Sequence, residues 1–213
     1  MKLYTHSPSP NCIKVVAVAN YLGFELEQIE IEPHSGYCRS PEFLAKNPNG
    51  LLPTLEDGGR TLWESNAILY YIGNNSPLFP KDAWMQAECW RWMCWSMCHW
   101  APSLKPMMYQ RMVAPMIHHQ EPDLTALAQA EASFHPLATI LEHHLARQQG
   151  WILGEELSLA DFALGAYLVY HEAACIPLES YPYVRAWYQQ LHSLPAWQKA
   201  LPHDFPQPIS APK

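Results

Sequence analysis

Charge is scarce in this chain. Only 15% of its 213 residues are charged, and no run of lysine and arginine occurs. A nucleic-acid surface needs clustered cations that displace counterions from phosphates, so a duplex partner is not expected. The net charge of -7 points the same way. The opening stretch, MKLYTHSPSP, reaches proline and polar residues before any apolar h-region can form, so no secretory signal is expected. Long apolar runs are lacking too: charges or prolines interrupt every candidate, and a membrane helix is not expected. Six cysteines over this length do not make the dense pattern of a small secreted scaffold. Free thiols in a reducing cytoplasm fit better.

What the chain has is apolar bulk. Hydrophobic residues make up 49% of it, a globular composition long enough for two modest domains. Residues 2–6 (KLYTH) read as a short strand, SPSPN as a turn, and Cys12 to Leu22 as a helix stopped by Gly23. Residues 24–32 read as a second strand, and PEFLAKN as a short helix. Thr54–Glu56 and Thr61–Trp63 bracket Asp57, Gly58 and Gly59, which predicts a hairpin. Ser65 or Asn66 then caps a helix carrying Ala67, Ile68, Tyr71 and Ile72. This order is a compact α/β unit.

After Pro77 and Pro80 strand patterns vanish. Helices are expected at 83–100, 123–147, 159–172 and 182–193, with Pro136 kinking the second. In LSLAD, Ser158 and Asp161 have the spacing of a capping box. The domains expected are 1–79, 84–201 and a proline-rich tail over 202–213. The segment 84–100 (WMQAECWRWMCWSMCHW) is apolar on nearly every face and predicts a helix buried all round. Cys94 and Cys98 stand one helical turn apart, but adjacent His99 points away from them, so no metal site is expected.

Four segments together resemble the cytosolic glutathione S-transferase family: LYTHSPSPNCIKV (3–15), PEFLAKNPNGLLPTLEDGG (41–59), LWESNAILYYI (62–72) and LSLADFALG (157–165). The resemblance implies an α/β thioredoxin-like N-terminal domain followed by an all-α helical C-terminal domain. It implies an enzyme that presents glutathione, its co-substrate, as a thiolate to a small hydrophobic electrophile. It also implies a homodimer, and no metal.

The chemistry this implies is thiol ionisation. A cysteine thiol with a pKa of about 8.5 is only about 3% ionised at pH 7, and a shift of about two units would ionise most of it. A hydroxyl donor and a helix N-terminus can supply that. Ser9, between the first strand and the first helix, stands where serine-using members carry the activating serine, and SPN at 9–11 is similar to a bacterial and fungal pattern in which an asparagine approaches the sulfur, so Asn11 shares or takes over the role. Cys12 reads mainly as a packed helix residue, because cysteine-using relatives place theirs at the serine position.

The resemblance further implies a cis Leu52–Pro53 bond, with the Leu52 backbone free to pair with the peptide-like ligand. It assigns the γ-glutamyl carboxylate to Ser65 and helix amides, and the ammonium to Glu64. Leu51 and Cys38 stand where many relatives hold the glycine carboxylate, leaving His34 or Lys46 as substitutes. His99 and Tyr109 are the candidates for an electrophile cleft. Two other readings stay open: glutathione-dependent disulfide reduction, and a binding or scaffolding module without catalysis.

Overall fold

A computed structural model describes residues 1–148 and 150–202. They form two compact units: Met1–Pro80 together with 192–202, and Lys81–Leu191. The expected proline-rich tail lies, beyond Pro202, outside the described residues.

In the first unit β1 (Lys2–Thr5), β2 (Glu27–Glu30), β3 (Thr54–Asp57) and β4 (Arg60–Trp63) form one sheet in the order β2-β1-β3-β4. β1 and β2 run parallel, joined by α1 (Pro10–Leu22), whereas β3 pairs antiparallel with both β1 and β4. A parallel pair needs such a crossover, and α1 supplies it. Pro10 opens α1 and Gly23, at φ 72, closes it, its N–H and that of Phe24 returning to Asn20 and Ala19 carbonyls. Ile13, Val15, Leu3, Leu55, Ile68 and Leu69 are each almost fully buried and make the core. Beside it, Tyr4 meets Phe43 edge-on at 5.7 Å between ring centres.

The short helix α2 (Pro41–Leu44) is capped by Ser40, whose hydroxyl accepts the Phe43 N–H. α3 (Ser65–Gly73) follows the hairpin. α10 (Pro195–Gln198), which the sequence assigns to the helical domain, packs against α1 in the first unit. Trp197 is fully buried there, and the Asn20 side-chain amide donates to the Ala196 carbonyl at 3.2 Å.

The second unit is helical. α4 (Ala83–Trp95) continues through a π-helical turn, Ser96–Trp100, into α5 (Ala101–Met108). A second π turn, Tyr109–Val113, leads to α6 (Ala114–Ile117). α7 (Leu124–Gln148), α8 (Leu159–Gly165) and α9 (Pro182–His192) complete it, α7 running through Pro136.

Several boundaries differ from the sequence reading. The second strand keeps only Glu27–Glu30 of the expected 24–32, because only four residues find β1 partners. Helix 101–117 went unread because Pro102, Pro106 and Pro115 punctuate it. The segment 84–100 is not buried all round. Cys89, Trp92, Met93, Ser96 and Trp100 form the buried stripe, while Trp84 is 73% exposed and Met97, Cys94 and Cys98 face outward.

Gly50 marks a close approach. Its φ is +61, and an added Cβ would lie 2.7 Å from the Cys38 carbonyl oxygen. Gly50→Ala therefore combines left-handed strain with a clash against backbone, and should cost at least about 2 kcal/mol in denaturant unfolding. An unchanged midpoint would show that the loop simply shifts.

Candidate active site

The polypeptide leaves β1 at Thr5 and turns sharply before α1. Ser9 N–H donates to the His6 carbonyl at 2.8 Å, closing the turn. Glu30, at the end of neighbouring β2, holds its outer side. Its carboxylate accepts the Ser7 N–H at 2.8 Å and lies 3.3 Å from His6 Nδ1. Glu30 was not singled out from the sequence. The signal for it is the parallel pairing, which sets Thr5 opposite Glu30 and so brings that carboxylate to the turn.

Ser9 is the N-cap of α1, with extended φ and ψ of -76 and 123. Its carbonyl accepts the Cys12 and Ile13 amides at 2.9 Å each. Its hydroxyl makes no capping bond to the helix, unlike an ordinary N-cap serine. That side chain is half-buried at the positive end of α1.

Cys12 sits one turn deeper and is fully buried. Its sulfur accepts the His6 N–H at 3.4 Å. Burial pushes the thiol up from its usual range, and hydrogen bonds from His6, Thr5 and Ser9 only partly oppose this. A neutral, inaccessible thiol is a poor nucleophile.

Two long-range bonds lock α1 to α3 beside Ser9. The Ser65 hydroxyl donates to Asn11 Oδ1 at 3.1 Å, and buried Lys14 donates through Nζ to Asn66 Oδ1 at 2.7 Å. Asn66 thus joins the helices and does not cap one. Nor does Ser65 cap α3, because it is already the first helical residue and Glu64 is the N-cap. Glu64 adopts φ 69 and ψ 109, a left-handed conformation that costs a non-glycine residue roughly 1–3 kcal/mol. The sequence contains no sign of this strain.

The Leu52–Pro53 bond is cis. Among the described residues, no backbone bond outside the regular elements uses the N–H or C=O of Leu52. Buried Asn47, unnoticed in the sequence, organises this segment: its amide donates to the Leu51 carbonyl at 2.8 Å and to Thr54 Oγ1 at 3.0 Å. Its Oδ1 accepts the Asn49 N–H at 3.0 Å, an Asx turn ahead of Gly50.

Of the expected substitutes for the glycine end, Lys46 is already engaged. Its Nζ lies 2.9 Å from Glu56, whose other donor is the Tyr4 hydroxyl at 3.2 Å. The Lys46 hydrogen bond pulls the Glu56 carboxyl below its usual range, and Glu56 raises Lys46 in turn. His34 sits exposed on the turn Pro33–Ser35. Arg39 is the cation next to the cis segment, donating through Nη1 to the Asn49 carbonyl at 3.1 Å. In the second unit, His99 and Tyr109 are both exposed, one on each π turn. Among the described residues no group of three or more histidines, cysteines or acids could hold a metal. No described helix is long and apolar enough to cross a membrane.

Comparison with known proteins gives this geometry its lineage. Family models for the glutathione S-transferase N-terminal and C-terminal domains match residues 1–74 and 125–190. Glutathione S-transferase 3 of Zea mays is 32% identical over 210 residues, spanning 94% of this chain and 93% of its own length. The chain belongs to the glutathione S-transferase family. Two solved members agree in fold. Glutathione transferase F7 from Populus trichocarpa superposes with a TM-score of 0.86 at 28% identity, covering 93% of this chain and 96% of its own. Glutathione S-transferase-I bound with lactoylglutathione gives the same score at 26% identity, covering 93% and 97%. The glutathione transferase fold is therefore an α/β thioredoxin-like unit followed by a helical one here too, and the chain is a glutathione transferase with glutathione as its co-substrate.

Proposed function

We propose that this transferase is of the serine-using kind, with the Ser9 hydroxyl donating to the sulfur of bound glutathione and Asn11 beside it. The observation that carries this is the N-cap hydroxyl of α1, which makes no bond to a helix amide where an ordinary capping serine would. A thiolate there gains from that donor and from the helix N-terminus together. Conjugation then forms a sulfur–carbon bond to a small apolar electrophile, whose leaving group departs with the bonding pair. His99 and Tyr109 are offered as residues of the electrophile side.

The remaining groups sort by chemistry. The first amides of α3 suit the γ-glutamyl carboxylate, joined by the Ser65 hydroxyl once it turns from Asn11, and exposed Glu64 suits the ammonium. The Leu52 backbone pairs with the cysteinyl residue as a short strand would. Arg39 joins His34 as a candidate partner of the glycine carboxylate, since neither is committed to a carboxylate among the described salt bridges, whereas Lys46 is held by Glu56. Disulfide reduction is less well supported, because the nearest sulfur, Cys12, is buried.

Two measurements test this. Glutathione added to the protein should show thiolate ultraviolet absorbance well below the pH at which the free tripeptide ionises, and an aryl halide should be turned over faster than a model disulfide. No thiolate signal at saturating glutathione would overturn the reading. Ser65→Ala should raise the KM for glutathione about tenfold with a smaller effect on kcat, as befits loss of a hydrogen bond to a charged group. Exposed Trp63, Tyr70 and Tyr71 on β4 and α3 support a homodimer, which sedimentation checks. A cytoplasmic location fits the six free cysteines.

A further inference from the structure

The Ser65–Asn11 hydrogen bond joins the two ends of the proposed glutathione site. Asn11 is the second residue of α1 and Ser65 the first of α3, so this contact, at 3.1 Å, brings two helix N-termini together. The first is the seat proposed for the sulfur, the second for the γ-glutamyl carboxylate. A serine hydroxyl has a single proton to donate. Here Asn11 Oδ1 takes it, which holds the Asn11 amide with its oxygen toward α3. Glu64, the N-cap residue, makes no side-chain bond to the first amides of α3, a helix start to which an anion is drawn. Fully buried Lys14 ties the same two helices independently, through Asn66 at 2.7 Å. Ser65 can therefore turn without parting α1 from α3.

We infer that this proton is contested: the γ-glutamyl carboxylate takes it from Asn11, and the Asn11 amide, no longer held by Ser65, turns its NH2 to the glutathione sulfur. A hydrogen bond to a charged acceptor is roughly twice as strong as one between neutral groups, so a docked carboxylate prevails over the amide oxygen. Recognition at one end of the tripeptide thereby prepares the other end for ionisation. A thiol that lacks the γ-glutamyl group leaves Asn11 engaged with Ser65. No covalent bond is made or broken. Affinity is lowered in return, since the ligand must displace Asn11 before it gains Ser65.

This inference rests on Ser65 and Asn11 having the roles proposed above, so the test separates the two. S-methylglutathione has no thiol to ionise, and its affinity by calorimetry reads recognition without ionisation. Thiolate absorbance of bound glutathione reads the sulfur. Asn11→Ala should bind S-methylglutathione about two- to tenfold more tightly, the size of one neutral hydrogen bond, and yet raise the pKa of bound glutathione by about half a unit to one unit. Loosening of α1 against α3 would weaken both, so opposite signs mark the coupling. In a Ser65→Ala background Asn11→Ala should not tighten the ligand. Asn11→Asp suits a helix N-terminus and strengthens the acceptor, so it should weaken S-methylglutathione binding more with Ser65 present than in the Ser65→Ala background. If Ser65→Ala weakens binding and Asn11→Ala does not tighten it, the coupling is wrong and Ser65 keeps its role. If Ser65→Ala leaves affinity unmoved, the reading of Ser65 falls and takes the coupling with it. A tightened ligand with an unmoved pKa would overturn the claim on the sulfur.

Discussion

Bound glutathione is expected to lose most of its thiolate at neutral pH when Ser9 is replaced by alanine. A hydrogen bond to a charged acceptor is worth about 1.5–3 kcal/mol, which corresponds to roughly one to two pKa units. With the thiol pKa raised by that amount from about 6.5, the thiolate fraction and with it kcat/KM at pH 7 should fall about 3- to 25-fold. The defect is largest below the pKa of the wild-type bound thiol, shrinks as pH rises from there, and is lost above the variant's pKa, where alkali ionises the sulfur unaided. A pH profile of kcat/KM for both proteins reads this directly, and its acidic limb should move upward in the variant. Parallel profiles with no displacement would remove Ser9 from the chemistry. The helix N-terminus is untouched by the substitution, so some acidification of the thiol should persist.

The second large effect concerns stability. Asp161 in α8 is fully buried, and burial pushes its carboxyl above the ordinary range while its donors pull it back. Four donors converge on it. The Ile152 and Ser158 amides lie at 2.8 Å, the Ser158 hydroxyl at 2.7 Å and the Trp187 indole N–H at 2.8 Å. One carboxylate thereby ties the 150s loop, the start of α8 and α9 together. Asp161→Ala leaves buried donors without an acceptor, each at a cost of about 1–3 kcal/mol. The total should reach about 3–5 kcal/mol in denaturant unfolding. Asp161→Asn should lose less, since its amide oxygen can still accept from two of them. A loss under about 1 kcal/mol for the alanine variant would mean that water replaces the carboxylate.

The sequence exposed this last feature in part. Ser158 and Asp161 carry a capping-box spacing, and the carboxylate does return to the Ser158 amide. The further partners Ile152 and Trp187 are joined only by tertiary packing and have no local signature. The same division holds at the active site. Strand, turn and helix around Ser9 could be read because proline, glycine and apolar spacing are local signals. Glu30, Asn47 and the strained Glu64 could not, because their meaning depends on which strand lies beside which. Prolines misled in the other direction. Pro102, Pro106 and Pro115 sit in a helical segment eased by π turns, where pattern alone marks a break.

The seat of α10 bears on how the protein comes into being. Synthesis delivers the opening eighty residues early, yet the aliphatic back of α1 waits for Trp197, which is translated after the whole helical unit. A ribosome-bound chain therefore carries an unfinished glutathione-handling half until Trp197 has emerged, and excising that half at the unit boundary would strip it of its own lid.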